Sequence, residues 1–223
     1  GSGYAPQGAV HADEGRPLDG PLRVEVERAL AAADRANNAS IQEVAGRWTV
    51  QGDPTEGALL VAARKCGLSS DALNQRLPRV GEVPFSSERK LMSTMHRDAQ
   101  QQDRGVVFTK GAPDVLLTRC TRELVGEERR PLTPDRRAAI LETNEALAGQ
   151  ALRTLGVAGR WLTGEALTAH SAHPDERVEQ DLVFAGLIGI IDPPRAEARD
   201  AVARARHAGI RPIMITGDHP RTA

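Results

Sequence analysis

The sequence predicts an α+β fold: a mainly antiparallel, twisted sheet flanked by helices, with an incomplete α/β piece at the C-terminal end. Three observations carry this. Leu91, Ser93 and Met95 alternate with Met92, Thr94 and His96, and Val106, Phe108 and Lys110 alternate with Val107 and Thr109. Both runs therefore have the period of two expected of half-buried strands, and the polar connection Arg97 to Gly105 makes them a β-hairpin. Asp181 to Ile191 is a nearly continuous apolar run, the pattern of a strand covered on both faces. That run stops at Asp192-Pro193-Pro194-Arg195, whose two prolines stiffen the chain and mark a boundary between residues 1–191 and 192–223.

Gly1 to Gly20 lacks periodicity and reads as an extended entry segment, of which Gly1-Ser2-Gly3 has the look of a cloning remnant. Leu22, Val26, Ala29, Leu30 and Ala33 share one helical face between Pro21 and Asn38, with Asn37-Asn38 as the stop. A short strand, Arg47 to Gln51, leads into a helix from Thr55 to Cys66. Asp53 supplies its N-cap, Pro54 its first position and Glu56 the third, close to a capping box, and Gly67 ends it. After the hairpin, Ala112-Pro113-Asp114 opens a helix to about Cys120, so Lys110 sits at a strand-to-helix turn. A further helix follows Thr133-Pro134-Asp135 with Ala139, Ile140 and Leu147 on its buried stripe. Ala151 to Ala158 reads as a strand on which Arg153, Leu155 and Val157 share a face. Thr163 to Gln180 reads as a polar loop, whose His170 and His173 lack a third metal ligand nearby. Beyond the boundary, Ala196 to Ala208 has helical periodicity and Ile213 to Thr216 reads as a strand, together half of a βαβ unit.

Composition narrows the function. With 223 residues the chain can bury one large core or two small ones, and its net charge of −1 does not suit a nucleic-acid binder. Cys66 and Cys120 stand apart, so neither a disulfide framework nor a zinc site is expected, and a reducing compartment is. No apolar run approaches the ~18 residues that cross a bilayer, and the N-terminal residues lack a signal-peptide pattern; the expectation is a soluble fragment. There is no G-x-x-x-x-G-K-[ST] phosphate loop, no G-x-G-x-x-G after a strand and no G-x-S-x-G.

The two ends of the hairpin carry chemistry that suits a nucleotide. Phe85-Ser-Ser-Glu-Arg-Lys90 precedes the first arm and Lys110-Gly111 ends the second. A base gains ~1–3 kcal/mol by stacking on an aromatic face, ammonium groups bind phosphate as point charges, and a glycine lets a ligand approach the backbone. An ordinary hairpin with a solvated basic face fits the same residues. Glu56 has two readings, capping its own helix or accepting a hydrogen bond from the exocyclic amine of a base. Arg153 faces an anion or forms a salt bridge at a sheet edge. Asp218, after Gly217 at the end of a strand, is either a turn residue or placed for phosphate or metal chemistry together with Thr216.

In order along the chain, Gly52-Asp-Pro-Thr-Glu-Gly-Ala-Leu59, Pro84-Phe-Ser-Ser-Glu-Arg-Lys90, Phe108-Thr-Lys-Gly-Ala-Pro-Asp114, Leu152-Arg-Thr-Leu155, Asp192-Pro-Pro-Arg195 and Ile215-Thr-Gly-Asp-His-Pro-Arg-Thr-Ala223 resemble the motifs of the nucleotide-binding domain of P-type ATPases. These are ion pumps that cycle through an aspartyl-phosphate, and the motifs are most similar to those of the type II pumps for calcium and related cations. The resemblance implies an ATP-binding domain in which Phe85 stacks on adenine, Glu56 faces the adenine amine, Lys90 and Lys110 line the pocket with Gly111, and Arg153 reaches toward the phosphates. Thr55, Arg89 and Leu155 are secondary contacts on the same basis. At Ser87 some family members carry arginine, so one phosphate contact is missing. Asp192 and Arg195 fall at the hinge to a phosphorylation domain, and Thr216, Gly217 and Asp218 form its TGD motif, which supports phosphoryl transfer.

The departures bear equally on function. The family's phosphorylated aspartate lies in D-K-T-G-T, which does not occur here, and neither does the later G-D-G-x-N-D stretch for magnesium. The resemblance therefore implies a cytoplasmic piece of an integral plasma-membrane pump, monomeric by itself, that binds ATP without turning it over. Mg2+ and the phosphorylation, actuator and membrane domains would belong to the full-length pump. Residues 196–223, without partner strands, are expected to pack irregularly or to be mobile. A stand-alone regulatory nucleotide-binding module and a fragment of a haloacid-dehalogenase-type phosphatase are the alternatives.

Overall fold

Seven strands form the main sheet in the order Arg79–Val83, Leu91–Arg97, Arg104–Gly111, Arg153–Thr163, Leu182–Ile190, Cys120–Val125 and Glu128–Pro131, antiparallel throughout except for the parallel pair of Leu182–Ile190 and Cys120–Val125. The computed structural model describes residues 3–101, 103–191 and 196–213. Asp192, Arg195, Thr216, Gly217 and Asp218 lie outside the described residues, as does most of the strand expected at Ile213 to Thr216.

Helix α1, Gly20–Arg35, is followed by a separate hairpin of β1, Ser40–Val44, and β2, Arg47–Gln51. Its two turn residues, Ala45 and Gly46, both have positive φ, 50° and 76°, which matches the twist of the strands they join. Helix α2, Pro54–Lys65, starts as its cap predicts: Asp53 Oδ1 accepts from the amides of Thr55 at 2.8 Å and Glu56 at 3.2 Å. Helix α3, Ser70–Arg76, leads to β3, Arg79–Val83.

The expected hairpin is β4, Leu91–Arg97, and β5, Arg104–Gly111, with Met92 opposite Lys110 and Leu91 opposite Gly111. Then come α4, Pro113–Arg119, β6, Cys120–Val125, β7, Glu128–Pro131, and α5, Pro134–Ala148. Strand β8, Arg153–Thr163, runs five residues beyond the expected Ala158 and pairs with both β5 and β9, Leu182–Ile190.

The segment Thr163 to Gln180 corrects the sequence reading. It is not a loop: α6, Gly164–Ala172, and a 3-10 turn, Glu176–Val178, fill it. Thr163 caps α6 by accepting from Ala166 N at 3.3 Å, and a single fully buried residue, Leu167, anchors it. One apolar anchor in nine residues leaves no helical stripe to read.

The sheet is covered on both faces. On one, Ala29, Ala32 and Ala33 of α1 and Leu59 of α2 pack against Phe108, Leu155, Val157 and Ile188. On the other, Leu116 and Leu117 of α4 and Ile140 of α5 meet Leu91, Ala158, Leu182 and Phe184, while Leu167 of α6 meets Val83, Met95 and Val107. Strand β9 contributes to both sides, Leu182, Phe184 and Leu187 to one and Ala185, Ile188 and Ile190 to the other, which is why it reads as a continuous apolar run. Each leucine so buried contributes about 1.5–3 kcal/mol of transfer free energy. Helix α7, Ala196–His207, is exposed from Glu197 onward apart from half-buried Ala205.

Candidate functional site

Antiparallel pairing brings four chain ends to one end of the sheet: the C-terminal ends of β3 and β5 and the N-terminal ends of β4 and β8. Because β8 pairs Val157 with Lys110 and Gly156 with Gly111, Leu155 and Arg153 continue the same edge, and they share the helix-covered face with Val157. The first turn of α2 and the end of α1 close over that face.

At the centre is an ion pair. Lys110 Nζ donates to Glu56 Oε1 at 2.5 Å and also to the Ala36 carbonyl. Burial pushes the Lys110 ammonium below its usual range, and the hydrogen bond and charge of Glu56 push back. Glu56 does not reach back to complete a capping box: its Oε2 accepts from the Asn38 amide at 3.1 Å. The carboxylate is thus drawn out of its helix and into the corner beside Lys110. Asn37 and Asn38, read in the sequence as a helix stop and as a pair that fits the resemblance to P-type ATPases, build the wall behind it. Asn37 Nδ2 donates to the Glu56 carbonyl at 3.0 Å, and Asn38 bonds Arg79 at 2.8 Å and Glu82 at 2.7 Å. A pair of side-chain amides just after a helix is the signal that could have marked them, since such groups satisfy orphan backbone donors and acceptors.

The loop Pro84 to Lys90 forms the second wall. Lys90 N bonds the Ser86 carbonyl at 2.6 Å, and Lys90 itself has a φ of 55°, so the loop is a tight turn. It is pressed onto β5: Ala112 N donates to the Lys90 carbonyl at 3.1 Å, and a Cβ on Gly111 would lie 2.1 Å from that oxygen. Gly111 is needed for this close approach of two backbones. Phe85, 62% exposed, and the exposed Lys90 side chain project from the loop.

The sequence-predicted residues divide accordingly. Glu56 and Lys110 touch, Lys90 and Gly111 meet through their backbones, and Arg153, exposed, and half-buried Leu155 stand on the adjoining strand edge. Thr55 is half-buried beside Glu56 and uses its amide in the Asp53 cap. Arg89 turns into the protein: its guanidinium donates to the carbonyls of Pro84 at 2.5 Å and Leu91 at 3.0 Å and to Glu179 at 2.5 Å. Glu179 carried no signal in the sequence, since it lies in a polar stretch without periodicity.

Two concavities lie outside this corner. One, of about 340 Å³, lies between the N-terminal segment and the end of α2 at Lys65 and Cys66, the opposite end of that helix from Glu56. The other, of about 250 Å³, borders Asn37 and Arg79, but its buried charges serve one another: Arg35 pairs with Asp34, and Ser70 donates to Asp34 at 2.8 Å. Among the described residues no three histidine, cysteine or carboxylate side chains gather as metal ligands. The described residues thus offer no cluster that would hold magnesium by protein ligands alone.

A basic and aromatic rim around a recessed carboxylate can hold a planar heterocycle and an attached anion. Comparison with known proteins gives that chemistry a setting. The profile of the P-type ATPase, cytoplasmic domain N, matches residues 25–197. The chain is similar to the calcium-transporting ATPase of Bacillus subtilis, 39% identical over 224 residues, covering 100% of this chain and 24% of that protein. It is 38% identical over 227 residues to the probable cation-transporting ATPase F of Mycobacterium tuberculosis, again covering 100% of this chain and 24% of the relative. With the calcium-transporting ATPase 1 of Bacillus cereus it shares 42% over 173 residues, 77% of this chain and 18% of that protein. The chain spans about a quarter or less of the length of these curated relatives.

Proposed function

Since the chain belongs to the family of the P-type ATPase cytoplasmic domain N, we propose that it binds ATP within a cation-transporting pump and delivers it to an aspartate phosphorylated elsewhere in that pump. The names of the relatives, calcium-transporting and cation-transporting ATPases, support the setting. The single observation that carries the ligand is the Glu56–Lys110 pair recessed behind a loop that presents Phe85.

Adenine stacks on the Phe85 ring, a contact of ~1–3 kcal/mol that any base would gain. Discrimination comes from Glu56. Its carboxylate accepts from the exocyclic amine of adenine, whereas guanine presents a carbonyl oxygen at that edge and is repelled. Lys110 holds Glu56 in place and offers its one remaining proton to the ring; Lys90 and Arg153 on the rim attract the phosphates. Gly111 keeps the loop close to β5. Magnesium bound with ATP in the whole pump would supply neutralisation of the phosphate charge, and residues outside this corner would hold it. The exposed rim leaves the phosphates free to be carried, by closure of a hinge at Asp192 to Arg195, to a phosphorylation domain of which Thr216, Gly217 and Asp218 are part. With no D-K-T-G-T in its sequence, this chain binds ATP without a covalent step.

Calorimetric titration with ATP and with GTP tests the reading. Binding that prefers ATP, and that falls about tenfold or more in Phe85→Ala and in Lys110→Ala, is expected for lost stacking and a lost charged contact. Equal binding of ATP and GTP, or ATP binding unchanged in both variants, overturns it.

A further inference from the structure

Arg89 closes the loop from inside. Its guanidinium binds the Pro84 and Leu91 carbonyls, the two ends of the segment that presents Phe85 and Lys90. An arginine in that position needs a counter-charge, and Glu179, fully buried just before β9, supplies it at 2.5 Å. The same Glu179 Oε1 accepts from Ser93 Oγ at 2.7 Å. The single Ser93 proton is therefore committed to the carboxylate, so Thr109 is the donor in the 2.8 Å contact between Ser93 and Thr109, cross-strand partners of β4 and β5. Thr109 immediately precedes Lys110. A continuous chain of hydrogen bonds thus runs from the Phe85 loop through Arg89, Glu179, Ser93 and Thr109 to the strand that carries Lys110, on the face of the sheet opposite the Glu56 corner.

This arrangement is unfavourable as a stabilising device. Glu179 is buried with its Oε2 lacking a hydrogen-bond partner among the described residues, and an orphaned oxygen on a buried charge opposes folding. Apolar side chains in place of the whole Arg89–Glu179 pair would serve the core at least as well. What the carboxylate does provide is a fixed geometry for the guanidinium.

We propose that Glu179 is a positioning residue of the nucleotide site: through Arg89 it holds the Pro84 to Lys90 loop so that Phe85 and Lys90 face the Glu56–Lys110 corner. The inference rests on the ATP-binding reading above and adds to it a residue that does not touch the ligand. It makes the loop's geometry, and hence ATP affinity, dependent on a group on the far side of the sheet.

The test is a double-mutant cycle on this chain, read by ATP titration and by amide hydrogen exchange without ligand. Glu179→Gln keeps the shape and removes the charge; it is expected to weaken ATP binding roughly tenfold, the scale of a charge-assisted hydrogen bond. Exchange of the Lys90 and Ala112 amides, which pin the loop, should quicken in the same variant. In a Phe85→Ala background Glu179→Gln should lose most of its effect on affinity, because there is no ring left to position; a role in stability alone would leave the two effects additive. Should Glu179→Gln not fold, Ser93→Ala and Arg89→Lys perturb the same carboxylate and guanidinium, with losses of roughly threefold to tenfold expected. Wild-type binding that depends on Phe85 but is unchanged by Glu179→Gln, or by Ser93→Ala and Arg89→Lys together, sinks the positioning role and leaves the ATP site standing. If wild type binds no ATP, both fall.

Discussion

Lys110 and Glu56 meet at 2.5 Å with 9% and 14% of their side chains exposed, and the Ala36 carbonyl takes another proton of the same ammonium. The end of α1, the first turn of α2 and the end of β5 are thereby tied to one charge. Removing either partner leaves the other largely buried and uncompensated. Lys110→Met and Glu56→Leu should each lower unfolding free energy by about 3 kcal/mol, near the lower end for breaking a buried pair, whereas the double variant should recover much of that loss. Urea denaturation of the four proteins decides it: strictly additive losses would mean that the pair is not coupled.

Gly111 makes a second, purely steric prediction. Its missing Cβ would stand 2.1 Å from the Lys90 carbonyl oxygen and 3.0 Å from Leu91 Cα, and both are backbone atoms that cannot rotate aside. Gly111→Ala should therefore force the Phe85 loop off β5, break the Ala112–Lys90 hydrogen bond and destabilise by on the order of 2–3 kcal/mol. Thermal unfolding checks the stability, and hydrogen exchange at Ala112 checks the place. Unaltered protection there would show that the close approach does not exist.

What the sequence made legible, and what it hid, follows from where burial is periodic. The hairpin of β4 and β5, the Asp53 cap and β9 were readable because alternation, a capping residue and an unbroken apolar run each act locally. Strands β6 and β7 were not, for Arg122, Glu123, Glu128, Arg129 and Arg130 give an edge ladder no apolar face. Strand β1 is likewise almost wholly exposed. In the site, residue types were visible but not pairings. Glu56 could be read as a cap or as a ligand contact, and only the third dimension shows it turned to Asn38 and Lys110. Glu179 could not be found at all, because its partners Arg89 and Ser93 lie 90 and 86 residues away.

Helix α6, hidden for the same reason, hangs on Leu167. That side chain is 1% exposed and fills the space over Gly105, where a Cβ would come within 2.5 Å of Leu167 Cδ2. Leu167→Ala should open a cavity among Val83, Met95, Val107 and Val178 and destabilise by about 2–5 kcal/mol. A leucine in a solvated loop would give almost nothing, so a change under about 0.5 kcal/mol in chemical denaturation refutes the packing of this segment.

His96 couples the fold to pH. Its ring is fully buried beneath α1, tilted against Phe108 at 5.6 Å, with Nδ1 on the Leu77 carbonyl at 2.8 Å and Nε2 on the Thr94 hydroxyl at 2.9 Å. Burial pushes its pKa down to about 4, helped by the nearby positive charges of Arg35 and Arg79 and opposed by the Leu77 hydrogen bond. In the neutral ring, Nδ1 carries the proton toward Leu77, and the Thr94 hydroxyl is shared between Nε2 and the Arg35 carbonyl, 3.0 Å away. The unfolded chain takes up a proton as pH falls through about 6.5, and the native chain does not until about 4. The unfolded state therefore binds more protons across that window, and stability must fall as pH drops through it, by about 2 kcal/mol at pH 5 relative to neutral pH, levelling off below about 4. His96→Gln, whatever its packing loss at neutral pH, should remove that slope. Urea midpoints measured for both proteins at pH 7, 6, 5 and 4 should converge as pH falls; parallel curves would assign the acid sensitivity to other groups.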